Sequence, residues 1–178
     1  MRALQCFGGA SRVRVSAQLV AMGPTRLRAR YLLEGDTAAL RLPPAVTAPQ
    51  RRDELWRHSC LECFVAPQGS PRYVECNFSP AGDWAVYGFA AYRGQREDPA
   101  DPRVIVGLRP SGAALELTAM VECAAFPWTS VALDCNLAAV LEFTDGRLEY
   151  HALSHPAAQP DFHDRRAFEP LAAVAGAP

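Results

Sequence analysis

Residues 59–90 read SCLECFVAPQGSPRYVECNFSPAGDWAVYGFA, three short apolar-rich runs parted by Pro-Gln-Gly-Ser at 67–70 and Ser-Pro-Ala-Gly at 79–82. Proline presets the φ of a turn and glycine tolerates the positive φ that follows, so each break reverses the chain. The stretch therefore predicts three consecutive antiparallel strands over 59–66, 72–79 and 83–90. A strand turns successive side chains to opposite faces. Tyr73, Glu75 and Asn77 thus share one face of the middle strand, and Val74, Cys76 and Phe78 share the other. Cys60, Glu62 and Phe64 form a similar mixed row on the strand before it. Such rows are either the solvated side of a sheet or the wall of a polar pocket.

The same period runs outward in both directions. Upstream, Val13, Val15, Ala17, Leu19 and Ala21 alternate with Arg12, Arg14, Ser16 and Gln18, and Leu27, Ala29, Tyr31 and Leu33 alternate with Arg26, Arg28 and Arg30. Each pattern marks a half-buried strand. Beyond LPPAVTAPQRRDE, a loop rich in proline and charge, and past the central block, further strands are expected over 103–109, 113–122, 131–143 and 147–153, with Pro-Ser-Gly at 110–112 and Asp-Gly at 145–146 as turns. Residues 131–143, VALDCNLAAVLEF, also suit a buried helix. About nine or more strands with no convincing long helix predict an all-β chain. The expected architecture is a single-domain antiparallel β-sandwich of jelly-roll or immunoglobulin-like kind over residues 1–178.

Composition narrows the function. The 178 residues are 49% hydrophobic and 21% charged, with a net charge of -1, so no basic surplus is present to neutralise a phosphate backbone and nucleic acid is excluded as the expected partner. All 18 basic residues are arginines, which removes every mechanism that needs a lysine amine. No run approaches the roughly 20 apolar residues of a membrane span, and the first residues show no secretory apolar core, so a cytoplasmic protein is expected. In that compartment Cys6, Cys60, Cys63, Cys76, Cys123 and Cys135 are expected as buried reduced thiols. Cys60 and Cys63 spell C-x-x-C, but on a strand they face opposite ways and cannot share a metal.

The run LWRHSCLECFVAPQGSPRYVECNFSPAGDWAVYGFAAYR, Leu55 to Arg93, resembles the bacterial DOMON-like proteins, with their Leu-Trp, Cys-x-Glu-x-Phe, Tyr-x-Glu-x-Asn-Phe-Ser-Pro, Gly-x-Trp-Ala and closing Tyr-Arg. RYLLEGD (Arg30 to Asp36) resembles their second strand, and LEFTDGRLEYHALSHPAAQPDFHDRRAF (Leu141 to Phe168) their closing segment. The resemblance implies a β-sandwich related to the family 9 carbohydrate-binding modules, with a sugar or a haem bound at one end. For the sugar-binding branch it implies Trp56 as a stacking ring and Glu62 as the gripping carboxylate. Asn77, Trp84 and Arg93 follow by residue type and place. His151 stands in Tyr150-His151-Ala152-Leu153 where relatives commonly carry tryptophan.

The chemistry stands without the family. A pyranose has hydroxyls on its rim and C–H groups on its faces, so its site needs a flat aromatic face and convergent polar groups. Arginine offers a fork of donors and glutamate offers acceptors, a combination that reads a vicinal diol. The expectation is a non-catalytic module for a small saccharide or similar polar ligand, with no cofactor and no resident metal. Haem is the runner-up ligand, with axial ligands drawn from His58, His151, His155, His163, Met22 and Met120. A protein-interaction module is the remaining binding alternative. The segment HALSHPAAQPDFHDRR gathers His151, His155, Asp161, His163 and Asp164, but its prolines prevent a helical ligand pair. No common catalytic template is present, and Glu62 with Glu75 is weak evidence for a glycosidase pair.

Overall fold

The computed structural model describes residues 1–124 and 132–171. Twelve strands are seen among them: β1 (Arg2–Ala3), β2 (Gln5–Cys6), β3 (Val13–Ala21), β4 (Arg26–Gly35), β5 (Cys60–Pro67), β6 (Tyr73–Phe78), β7 (Trp84–Phe89), β8 (Arg103–Ser111), β9 (Ala114–Glu122), β10 (Leu133–Glu142), β11 (Leu148–Ala152) and β12 (Glu169–Pro170). They form two antiparallel sheets, one in the order β1-β3-β4-β9-β8 and one in the order β2-β11-β10-β5-β6-β7, with β12 added on β10. The chain is an all-β sandwich. No helix among the described residues is long and apolar enough to cross a membrane.

All nine expected strands are present, including β10, which is a strand and not a helix. Residue 131, at the start of that expected segment, lies outside the described residues. The three two-residue strands carry no period for a sequence to display. β1 pairs with β3 and β2 with β11, so the first residues cross from one sheet to the other and close a side of the sandwich. The turn expected at 110–112 begins later: β8 runs on through Pro110 and Ser111, and Gly112 turns at φ 62. Proline is tolerated there because β8 is an edge strand, whose outward N–H has no ladder partner to lose.

The two sheets treat their faces differently. β3 and β4 bury alternate residues, and the core between the sheets takes Val13, Val15, Leu27, Tyr31 and Leu33 from them and Leu61, Val74, Phe78, Leu137 and Leu141 from the other sheet. Tyr31 spans this core and donates its hydroxyl proton to the Glu62 carbonyl at 2.6 Å, giving a buried phenol its partner. Outside the five-stranded sheet, Arg30 and Arg109 both grip the Glu116 carboxylate. The seven-stranded sheet instead buries both faces. On its outward side Phe64, Tyr73, Val140 and Phe162 make a second apolar cluster, as the chain after β11 folds back over the sheet. Double burial removes the polar half of the alternation, which is why residues 131–143 read ambiguously.

Candidate functional site

That outward face is only partly covered, and the uncovered part is a cavity of about 570 Å³, within the range of small-molecule sites. Period-two geometry supplies its floor: Glu62 from β5, Glu75 from β6, Tyr87 and Phe89 from β7, Val140 from β10 and Tyr150 from β11. Loops supply the rim. Asp53, Glu54 and Trp56 precede β5, Arg93 and Arg96 follow β7, and Phe162 and His163 come from the returning chain. The cavity therefore lies on a sheet face and not at an end of the sandwich, where the resemblance put it.

Two rim residues hold positive φ without being glycine, Glu54 at 63° and Arg93 at 46°. Such backbone is disfavoured for side chains and persists where the surroundings impose it. Glu54 starts the short 3-10 turn Leu55–Arg57 that presents Trp56, a ring 47% exposed and flanked by the Arg57 guanidinium 5.4 Å from its centroid. Arg93 directs its backbone N–H to the Tyr73 hydroxyl at 3.2 Å and its side chain to Asp161 at 3.0 Å. The same hydroxyl shares a hydrogen bond with His163 Nδ1 at 2.7 Å, and the other ring nitrogen, Nε2, lies 3.7 Å from Glu75.

The floor is electrostatically unusual. Glu62 is 3% exposed and its Oε1 has no hydrogen-bond partner. Burial pushes its carboxyl well above the ordinary range, the neighbouring Glu75 adds to the shift, and Arg93 opposes it. Glu75 is raised too, mainly by burial, although Asn77 donates to its Oε1 at 2.6 Å. His163 is depressed to about 4 by burial and then by Arg93, so the imidazole is neutral at pH 7 despite the nearby Glu75. The phenol of Tyr87 is raised by burial and by its 2.8 Å bond to Asp53.

Of the residues singled out by sequence, Trp56, Glu62 and Arg93 line this one cavity. Asn77 lies beside it, fully buried, and orients Glu75 while its own Oδ1 accepts the Cys60 thiol at 3.4 Å. Trp84 and His151 are corrections. Trp84 stands opposite Phe78 and packs on the core between the sheets, and His151 stands opposite Ala139 on that same inner side. A one-residue difference on a strand is a change of face. Tyr150 fills the place on the wall that the sequence reading gave to its neighbour.

The grouping of His151, His155, Asp161, His163 and Asp164 is dispersed. His155 bonds the Gln5 carbonyl at 2.9 Å, Asp161 holds Arg93 and Tyr92, and Asp164 caps the turn Arg165–Ala167. Among the described residues, the ligand atoms of Cys6, Glu149 and His151 do come within 4.8 Å of one another. Cys60 and Cys63 face opposite ways as expected, Cys60 toward Asn77 and Cys63 toward Cys76 across the β5–β6 pair. Sequence reasoning omitted Tyr87, Tyr150, Phe162 and Arg96 from the site. Parity with Glu75 marks Tyr87, and only the fold back of the chain brings in Phe162.

No family model and no curated protein matches the chain. Solved structures do. A proposed carbohydrate-binding protein from Bacteroides uniformis superposes with a TM-score of 0.67 at 16% identity, covering 94% of this chain and 83% of that one. A family 9 carbohydrate-binding module from Caldicellulosiruptor kristjanssonii is similar in its glucose complex, with a TM-score of 0.50 at 8% identity over 84% of this chain and 72% of that one. Its cellotriose complex gives 0.52 at 8% identity over 88% and 73%. At these identities the likeness is one of fold: the chain shares the sandwich on which those modules are built.

Proposed function

We propose that the chain is a non-catalytic binding module, DOMON-like and akin to the family 9 modules, that takes a small saccharide in the cavity on its seven-stranded sheet and acts as one unit over residues 1–178. The observation that carries this reading is the union, in about 570 Å³, of a buried carboxylate with an unpartnered oxygen and a half-exposed indole. Around them Tyr87, Phe89, Tyr150 and Phe162 offer ring faces and edges for sugar C–H groups. The ligands in the two complexes of the similar family 9 module, glucose and cellotriose, are of this chemical class.

Trp56→Ala tests it. Removing the exposed ring takes away apolar contact worth about 1–3 kcal/mol, and saccharide modules bind weakly enough that this abolishes detectable binding. Because Trp56 is outside both cores, the circular dichroism spectrum and melting temperature should stay at wild-type values. Titration of mono- and disaccharides against tryptophan emission reads the binding directly. A wild-type protein that leaves the whole panel unbound removes the saccharide reading and favours a protein partner.

A further inference from the structure

Resting on that saccharide reading, we infer that the cavity selects an amine-bearing sugar, a hexosamine with a free ammonium group, over the corresponding neutral sugar. The floor presents Glu62 and Glu75, both more than nine-tenths buried, and among the described residues no guanidinium is in ion-pair contact with either; the neighbour of Glu75 at 3.7 Å is the neutral His163. The two arginines of the lining are already engaged by other acids: Arg93 with Asp161 at 3.0 Å, and Arg96 with Asp98 at 3.1 Å and Asp53 at 3.9 Å. The lining's other acids have partners, Asp53 in Arg51 at 3.1 Å and Glu54 in Arg57 at 2.8 Å, so the carboxylates left without a guanidinium are Glu62 and Glu75.

A buried carboxylate without a cation is the costly half of an ion pair. Here one oxygen, Glu62 Oε1, still lacks any donor. A hydroxyl meets that oxygen's need for a hydrogen bond but gives the two buried acids no counter-charge against which to ionise. An ammonium meets it and also supplies the missing positive charge, and aromatic walls favour a desolvated cation over a neutral group of the same size. The same rings accept the C–H face of the sugar, so the amine and the ring are held by different parts of one cavity.

Calorimetric titration of matched sets decides it: glucose, glucosamine and N-acetylglucosamine, with the galacto and manno sets alongside. The expected result is that the amine of at least one set binds tenfold or more tighter than its neutral parent, and that acetylation, which removes the charge, abolishes the advantage. An amine preference below threefold in every set that binds overturns the inference and leaves the saccharide reading standing. Absence of binding across all sets overturns both. Glu62→Gln and Glu75→Gln, checked for a wild-type circular dichroism spectrum, locate the partner: the amine-to-neutral ratio should fall to within threefold in Glu62→Gln. A ratio that survives both substitutions overturns the carboxylate assignment.

Discussion

Glu62 is held in the folded protein at the expense of its charge. Its carboxyl is raised by burial first, by Glu75 second, and is lowered by Arg93, while Asn77 stands opposite it on β6 and the Cys60 thiol is raised in part by its proximity. For an acid the sign follows directly: the native state keeps a proton that the unfolded chain releases, so stability falls as pH rises from the ordinary glutamate value of 4.5 toward the raised one. The slope is about 1.4 kcal/mol per pH unit inside that window. His163 works in the other sense. Its imidazole is neutral when folded down to about 4 against an ordinary 6.5, so stability is gained as pH rises between those values. The comparison of Glu62→Gln with wild type cancels the histidine, which both proteins carry. Urea unfolding from pH 4 to 9 should show the two proteins alike at pH 4 and the variant increasingly more stable above it. Parallel curves would mean that Glu62 ionises freely in the native protein.

Elements were legible where their period is long enough to be seen. β3 and β4 alternate over nine and ten residues and appear where the pattern puts them. β1, β2 and β12 have two residues each, and two residues define no period. Turn chemistry was legible where glycine follows proline, as between β6 and β7. There the Ser79 N–H donates to the Asp83 carbonyl at 2.9 Å, the Gly82 N–H to the Ser79 carbonyl at 3.0 Å, and the Ala81 N–H to Ser79 Oγ at 3.1 Å. Gly82 has φ 109, and a Cβ there would stand 3.2 Å from Pro49 Cγ. Gly82→Val thus meets both a backbone conformation unfavourable to a branched residue and a packed loop. It should lower unfolding free energy by about 1–3 kcal/mol, as read from the urea midpoint. An unchanged midpoint would show that this turn relaxes to negative φ without loss.

On the scale of the whole molecule, the sequence specifies which residues share a face but not which way that face looks. Parity alone assigns Glu62 and Glu75 to mixed rows, yet Trp84, which joins them by residue type, and His151, which joins them by its place in the resemblance, belong to the other side of the same sheet. What decides the matter is the return of the chain after β11, a long-range contact with no local signature, which covers the outward face with Phe162 and His163. The sheet then lies between two apolar clusters, and the question is whether they open together. The thiols report on both: Cys60 is buried on the outward face and Cys63, Cys76 and Cys135 on the inner one, while Cys6 at the edge is only partly covered. Burial raises the Cys60 thiol well above its ordinary range, the Cys76 hydrogen bond and burial do the same for Cys63, and burial takes Cys135 to about 11, so none offers thiolate until the structure opens. Native-state alkylation with N-ethylmaleimide at pH 7, mapped by mass spectrometry, should label Cys6 first. Cys60 and Cys63 should follow at one shared, much slower rate that urea accelerates equally, because opening either face requires breaking the β5 ladders to β6 and β10. If Cys60 were labelled well ahead of Cys63, the returning chain would be lifting from the outward face while the sandwich stays intact, and the cavity wall it contributes would be independently mobile.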